Sequence, residues 1–114
     1  MNFIIRLIIT GLVAFGLAYV LPGIAIDSLW TGFILALVLA LLNGILKPIL
    51  VILTLPISVL TFGLFLFVIN ALIILLAGRF VDGFVVNGFW WALLFSLLLS
   101  VITSALSKDS KRKD

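Results

Sequence analysis

Long apolar stretches separated by short polar or turn-forming segments dominate the chain, and this pattern predicts four membrane spans. The first stretch, residues 3–21, ends at Pro22 and Gly23, a pair that a helix does not readily continue through. Residues 29–78 carry a single charged side chain, Lys47. At about 1.5 Å per residue, that stretch far exceeds one crossing of a ~30 Å hydrocarbon core, so it must fold back once.

Two prolines are candidate break points in the long stretch. A reversal at Pro56 leaves two spans of comparable length, and Pro48 is then expected to kink the end of the second span. The sequence therefore predicts an all-α fold, an integral membrane four-helix bundle. Its spans are expected at residues 3–21, 29–53, 57–78 and 89–106, followed by a tail at residues 107–114.

Composition restricts the classes of function. With 66% hydrophobic and 10% charged residues, the chain lacks the polar surface that a water-soluble globule needs. It has no Cys and no His, which removes thiol nucleophiles, disulfides, imidazole bases and the usual zinc or haem ligands. Its four acidic residues form no close pair within an apolar segment, so no carboxylate couple is available for acid–base catalysis. We expect neither enzymatic activity nor a bound cofactor.

The basic residues predict the orientation. Short cytoplasmic loops are enriched in Lys and Arg, so the side with Arg6, Lys47 and the basic tail is expected to be cytoplasmic, leaving Arg79 on the other side. Both termini are therefore expected in the cytoplasm. The tail is too short to bind nucleic acid; its expected partner is the anionic headgroups of the lipid bilayer, unless it only fixes topology. A removable signal peptide is the alternative interpretation of residues 3–21.

An internal duplication argues against removal of the first span. Shifting the sequence by 60 positions aligns residues 23–30 with residues 83–90 and preserves residue type at nearly every position. The match continues into the spans, where it pairs Thr10 with Asn70 and Asn43 with Thr103. Each half contains two spans, which predicts two repeated helical hairpins related by an axis along the membrane normal, unless apolar letters match by chance. The two aligned loops alternate apolar side chains, which predicts that they pair as short strands on the outer surface.

Small residues recur at every fourth position along the second and fourth spans. In lipid, helix association depends on close backbone approach, which small side chains at this spacing allow. The two stripes are expected to be packing faces buried within the bundle, or else the contact with a second copy in a homo-oligomer. Their members are Gly32, Ala36, Ala40 and Gly44, and Ala92, Ser96, Ser100 and Ser104.

Three polar residues inside the predicted spans form a candidate cluster. Asn43 and Lys47 are one helical turn apart, and a reversal near Pro56 brings Asn70 to a similar depth. Such side chains normally face protein or trapped water within a membrane, so the cluster is a candidate functional site, either a polar path or a lipid-headgroup pocket. We favour the structural alternative, in which Lys47 reaches the headgroups and the two asparagines bridge helices.

A series of residues through the centre of the chain resembles one bacterial family. The series reads LNGILKPIL at residues 42–50, TLPI at 54–57, TFGLF at 61–65 and NAL at 70–72. It resembles the YvlD-like proteins, also called the four-transmembrane phage holin superfamily, and the resemblance covers essentially the whole chain. It implies a small four-span protein of the bacterial plasma membrane and little about its activity.

Three functions are compatible with these features. The first, which we expect, is a structural or interaction protein of the plasma membrane that acts through helix faces and lipid contacts. The second is a holin-like oligomeric pore former, although a pore wall needs a polar face along a whole span and only the Ser-rich side of the fourth span approaches one. The third is a dimeric small-molecule transporter that uses the repeat and the polar cluster.

Overall fold

The computed structural model describes residues 2–112, apart from the side chains of residues 107–112, and consists of helices and one two-stranded ribbon. In chain order its elements are α1 (Phe3–Val20), β1 (Ile24–Ile26), α2 (Leu29–Leu41), a π-helical turn (Leu42–Leu46), α3 (Lys47–Leu53), α4 (Leu55–Leu60), α5 (Phe65–Phe80), β2 (Phe84–Val86) and α6 (Phe89–Arg112). The helix α6 continues into the expected tail, and the side chains of residues 107–114 lie outside the described residues.

Four apolar helical segments confirm the predicted membrane four-helix bundle. Three of them are long and apolar enough to cross a bilayer, namely Phe3–Val20, Leu29–Leu53 and Phe89–Leu106, and the shorter apolar helix Phe65–Phe80 is the fourth. The helix α1 packs on α2 to form the first hairpin, and α5 packs on α6 to form the second. The hairpins meet through α1 against α6 and α2 against α5, which leaves α2 and α6 diagonally opposite.

The two hairpins repeat one another at a spacing of 60 residues, as the sequence predicts. Leu35 and Phe95, at equivalent positions in α2 and α6, are both 0% exposed and form the centre of the core. Further equivalent pairs of buried residues are Gly11 and Ala71, Ala14 and Ile74, Leu17 and Ala77, Gly32 and Ala92, and Leu39 and Leu99. The same face of each helix is therefore buried in both halves.

The ribbon confirms the predicted pairing of the two loops. β1 and β2 are antiparallel, with Ala25 opposite Val85, Ile24 opposite Val86 and Ile26 opposite Phe84. A shift of 60 residues exchanges the two outer pairs and leaves the central pair in place. A local two-fold axis therefore passes between Ala25 and Val85 and relates the hairpins.

Backbone hydrogen bonds beside the ribbon follow the same symmetry. The Asp27 amide donates to the Gly83 carbonyl over 3.0 Å, and the equivalent Asn87 amide donates to the Gly23 carbonyl over 2.8 Å. We call residues 21–31 and 81–91, which include the ribbon and the first turns of α2 and α6, the sheet end of the bundle. The opposite end, where α1 begins and α6 ends, is the terminus end.

The second span contains a π-helical turn immediately before Pro48. The Lys47 amide donates to the Leu42 carbonyl, five residues back. Proline has no N–H and its ring crowds the carbonyl four residues earlier, here that of Gly44, so a wider turn relieves the contact. The predicted kink at Pro48 thus takes the form of a π-helical turn, and the helical segment continues to Leu53.

The reversal between the hairpins is longer than predicted. The helix breaks at Thr54, whose hydroxyl donates to the Leu50 carbonyl over 2.8 Å, but Pro56 then lies in the first turn of α4. Proline is well tolerated there because the first N–H groups of a helix have no partner within the helix. The chain therefore does not reverse at Pro56, where the sequence predicts the reversal, but continues into the short helix α4.

The chain completes its reversal after α4. Phe62 and Gly63 adopt positive φ angles of 54° and 85°, and the Gly63 amide donates to the Ser58 carbonyl over 2.7 Å, which ends α4. The Thr61 hydroxyl accepts a hydrogen bond of 3.2 Å from the Phe65 amide at the start of α5. The helix α5 consequently begins at Phe65 and ends at Phe80, whereas the sequence predicts a span over residues 57–78.

Candidate functional site

The three residues of the predicted polar cluster line one small cavity near the terminus end. Asn43 belongs to the π-helical turn, Lys47 begins α3, and Asn70 lies in the second turn of α5. All three border a cavity of about 60 Å³, together with the hydroxyl residues Ser96 and Ser100 of α6. The helical reversal therefore brings the second and third spans together at the depth that the sequence predicted.

A larger cavity lies next to this one, on the side of the bundle that faces α1. It has a volume of about 360 Å³ and lies between α1, the end of the second span and α6. Its polar lining residues are Arg6, Thr10, Asn43, Ser100 and Thr103, and its apolar ones are Phe3, Leu7, Ala36, Leu39, Ala40, Gly44 and Leu99. The two cavities share the lining residues Leu39, Asn43, Leu99 and Ser100, so they are neighbours, and we call the pair the terminus cavity.

Sequence reasoning missed three polar members of the terminus cavity, namely Arg6, Thr10 and Thr103. The duplication contained a signal for two of them, because the shift of 60 residues aligns Thr10 with Asn70 and Thr103 with Asn43. Arg6 was interpreted only as a residue that reaches the headgroups. Its position in the cavity depends on contacts among three helices that are distant in sequence.

The hydrogen-bonding state of the cavity side chains differs between hydroxyls and amides. The Thr103 hydroxyl donates to the Leu99 carbonyl over 2.7 Å, and the Ser96 hydroxyl donates to the Leu93 carbonyl over 3.0 Å. Within residues 2–106, no hydrogen bond joins the side chains of Asn43 and Asn70 to each other or to another residue. Their amides are therefore available to a group that enters the cavity, and the helix-bridging role expected in the structural alternative is not formed.

The terminus cavity is closed toward the sheet end. On α2 and α6, no described residue nearer the sheet end than Ala36 and Ser96 lines it. One residue further, Leu35 and Phe95 fill the core and have no exposed surface. The cavity therefore opens at one end of the bundle only.

Each small-residue stripe changes from buried to exposed near the boundary between the packed core and the terminus cavity. Their members nearer the sheet end, Gly32, Ala36, Ala92 and Ser96, are buried, whereas Ala40 is half-buried and Gly44, Ser100 and Ser104 are exposed. Gly32 packs closely on α1, where an added Cβ would lie 2.9 Å from the Gly11 carbonyl oxygen. Residues four apart on a straight α-helix are offset by about 40°, so Ser104 is rotated about 120° from Ala92 on α6, and Gly44 lies in the π-helical turn. Burial within the bundle therefore holds only for the half of each stripe nearer the sheet end, and contact of the other half with a second copy stays a prediction.

The available side chains determine what the terminus cavity can do. It offers a guanidinium, an ammonium, two amides and several hydroxyls, with no acidic residue among its described lining residues. Among the described residues, no group of three His, Cys, Asp or Glu side chains is placed to hold a metal ion. The arrangement can neutralise and hydrogen-bond an anion.

Two curated bacterial proteins are similar to this chain. The "Uncharacterized membrane protein YvlD" of Bacillus subtilis is 39% identical over 89 residues, which cover 77% of this chain and 75% of that protein. The "Uncharacterized protein SCO3922" of Streptomyces coelicolor is 43% identical over 81 residues, which cover 68% of this chain and 65% of that protein. No solved structure matches the fold.

A family profile agrees with these relatives. The profile described as "Mycobacterial 4 TMS phage holin, superfamily IV" matches residues 1–105, which include all four apolar helices and the ribbon. The bundle of two repeated hairpins is thus the architecture of a four-span membrane family. The chain belongs to superfamily IV of the four-span phage holins.

Proposed function

We propose that this chain is a structural or interaction protein of the bacterial plasma membrane, which binds lipid through its helix faces and does not conduct ions or catalyse a reaction. The observation that carries the proposal is the closed core between the terminus cavity and the sheet end. Ala14, Leu35 and Phe95 are each 0% exposed there, so one copy of the bundle contains no aqueous path. Water does not cross a closely packed apolar core of this kind.

The outer surface of the bundle supports the same proposal. Its exposed side chains are large and apolar along each long helix, as shown by Ile4, Ile8 and Leu12 on α1, Ile34 and Leu37 on α2, and Leu94 and Val101 on α6. An oligomeric pore needs a polar helix face along the whole span, because the wall must contact water. The exposed hydroxyls of Ser100 and Ser104 extend over only the terminus half of α6. The holin-like alternative is therefore less well supported than the structural one.

The proposal includes an orientation with both termini in the cytoplasm. Arg6 and Lys47 lie toward the terminus end, where the basic tail also begins, while Asp27 and Asp82 lie at the sheet end. Basic residues concentrate on the cytoplasmic side of short loops. Fusions of a periplasm-active phosphatase and of a cytoplasm-active fluorescent protein to each terminus test this point. We expect fluorescence without phosphatase activity at both ends, and opposite results at the two ends would contradict the orientation.

The main experiment is induced expression in bacteria with a membrane-potential dye. We expect the potential and the growth rate to stay at the level of cells that carry the empty vector, even at high expression. An ionophore added at the end of each run shows that the dye responds. Rapid depolarisation at modest expression would contradict the proposal and favour a pore former.

A further inference from the structure

The terminus cavity has the chemistry of a site for an amphiphilic anion. Arg6 and Lys47 lie on its terminus side, and the apolar residues Leu39 and Leu99 lie deeper in the bundle. A ligand that fits this gradient has a charged head and an apolar body. The larger part of the cavity, about 360 Å³, lies within the range of about 300–1,000 Å³ that is usual for small-molecule sites.

The donors in the cavity match a phosphoryl group. Arginine presents several N–H groups in a planar fork that suits phosphate oxygens, and lysine adds a second positive charge. The Asn43 and Asn70 amides have no hydrogen-bond partner among residues 2–106 and supply further donors. The larger cavity also has apolar lining residues, including Phe3 and Leu7. A bare inorganic anion bound there would leave these side chains exposed to water.

The two halves of the duplication also differ in charge at the terminus cavity. The residues equivalent to Arg6 and Lys47 are Leu66 and Ser107, so one half alone supplies both cations. At the sheet end the two halves also differ in charge, since Asp27 is equivalent to Asn87, but they make equivalent backbone hydrogen bonds and bury equivalent residues. Packing of the repeat does not require a cation at the Arg6 or Lys47 position, so both charges can serve a ligand as well as the orientation.

We propose that the terminus cavity binds the phosphoryl headgroup of an anionic phospholipid from the cytoplasmic leaflet, with Arg6 as the main phosphate contact. Lys47 contributes the second positive charge, and Asn43 and Asn70 donate hydrogen bonds to the headgroup. The glycerol and the first part of an acyl chain lie against Leu39 and Leu99. The leaflet depends on the orientation proposed above, whereas the binding chemistry does not.

The test uses the full chain purified in a neutral detergent, with lipid binding measured by native mass spectrometry and by the shift of the unfolding temperature. Short-chain phosphatidylglycerol is the main probe, short-chain phosphatidylcholine is the zwitterionic probe with no net charge, short-chain diacylglycerol is the probe without a phosphoryl group, and inorganic phosphate is the soluble one. The buffer contains about 0.15 M salt to screen weak attraction to the tail. We expect binding of phosphatidylglycerol only, with a rise in unfolding temperature that grows with lipid concentration.

Arg6→Gln and Arg79→Gln form the matched pair of variants, since each removes one positive charge from an exposed position and Arg79 lies in the last turn of α5, outside the terminus cavity. We expect Arg6→Gln to weaken phosphatidylglycerol binding about tenfold, as for loss of a charge-assisted hydrogen bond, and Arg79→Gln to leave it unchanged. The lipid-free unfolding temperatures of both variants check that the fold is intact. Should Arg6→Gln unfold, Lys47→Gln replaces it in the same comparison.

Three outcomes would overturn this inference. Equal affinities of the Arg6 and Arg79 variants would show that the anion binds elsewhere, for example at the tail. Equal binding of phosphatidylcholine or of diacylglycerol would show that the site does not select an anionic lipid, and equal binding of inorganic phosphate would show a site for a soluble anion. None of these outcomes affects the membrane-potential experiment, so failure of the lipid site and failure of the proposed function are distinguishable.

Discussion

The sheet end and the terminus end of the bundle are built from the same duplicated hairpin but differ in how tightly they pack. At the sheet end the two halves share a ribbon, equivalent hydrogen bonds and a buried core. At the terminus end the helices separate around a cavity, and the small residues Gly44, Ser100 and Ser104 are exposed. The two halves therefore pack closely at the sheet end and enclose polar space at the terminus end.

This difference suggests that one end of the bundle determines its stability and the other end binds a ligand. The ribbon, its flanking backbone hydrogen bonds and the buried core hold the hairpins together toward the sheet end. At the terminus end, Arg6 and its equivalent Leu66 are both exposed, so neither contributes to the buried core. Substitutions at the sheet end should thus change unfolding, whereas those at the terminus end should change ligand binding. The four predictions below test this division, from the largest expected effect to the smallest.

Gly83→Ala is expected to be the most destabilising change. Gly83 has a φ of +92°, and a Cβ there would overlap the Asp27 carboxylate that accepts a hydrogen bond from Thr31. Backbone strain and loss of this contact should together lower the free energy of unfolding by about 3 kcal/mol. The measurement is unfolding in mixed detergent and SDS micelles, followed by circular dichroism.

Gly88→Ala is the control for Gly83→Ala, because Gly88 also has a positive φ, +112°, but no atom lies within 4 Å of an added Cβ. The Gly88→Ala variant has the backbone strain without the overlap, so it should lower the free energy of unfolding by about 1 kcal/mol. Equal losses in the two variants would show that the contact between Gly83 and Asp27 contributes nothing.

Gly23→Ala should have the next largest effect. A Cβ on Gly23 would overlap the indole of Trp91, whose ring lies directly on the loop backbone. Moving that ring should lower the free energy of unfolding by about 2 kcal/mol, as for other overpacked sites. In the control Gly16→Ala, no atom lies within 4 Å of the new Cβ, and helix propensity should raise stability by up to about 1 kcal/mol. Similar destabilisation by both would argue against close packing at the sheet end.

Thr31→Val and Thr10→Val together compare a hydroxyl at the sheet end with one at the terminus end. The Thr31 hydroxyl donates to the Asp27 carboxylate beside the first turn of α2, and its side chain is buried. Its loss should cost about 1 kcal/mol of unfolding free energy. Thr10→Val, at a half-buried cavity position, should cost less than about 0.5 kcal/mol. A larger loss at Thr10 would reverse the proposed division between the two ends.

Asn43→Leu should have the smallest effect on unfolding. The Asn43 side chain is exposed in the cavity and has no hydrogen-bond partner among residues 2–106, so its removal should change the free energy of unfolding by less than about 0.5 kcal/mol. In the lipid assay described above, however, the same variant should bind phosphatidylglycerol more weakly. A strongly destabilised variant with unchanged lipid binding would assign Asn43 to the fold and not to a site.

Much of the fold follows from local sequence features. Apolar length predicts the four helices, and the shift of 60 residues predicts both the repeated hairpins and the pairing of the two loops. The position of the reversal did not follow from Pro56, because a proline can either end a helix or begin one. Gly63, whose positive φ ends the turn before α5, was the more informative residue.

The candidate site was only partly predictable. Asn43, Lys47 and Asn70 are rare polar residues in apolar spans, and their depth could be compared by counting residues from one reversal. The contribution of Arg6 depends on how far α1, α2 and α6 separate near the terminus end. Contacts among helices that are distant in sequence are tertiary features, which counting residues along the spans does not describe.

The local two-fold axis through Ala25 and Val85 has a consequence for the origin of the molecule. An ancestor with a single hairpin could have paired with an identical copy through the same ribbon, so that fusion of two genes preserved an existing homodimer. Once joined, the two halves no longer had to carry the same residues, and a cation could be acquired on one side alone. Covalent linkage thus made an asymmetric binding site accessible to an assembly that began as symmetric.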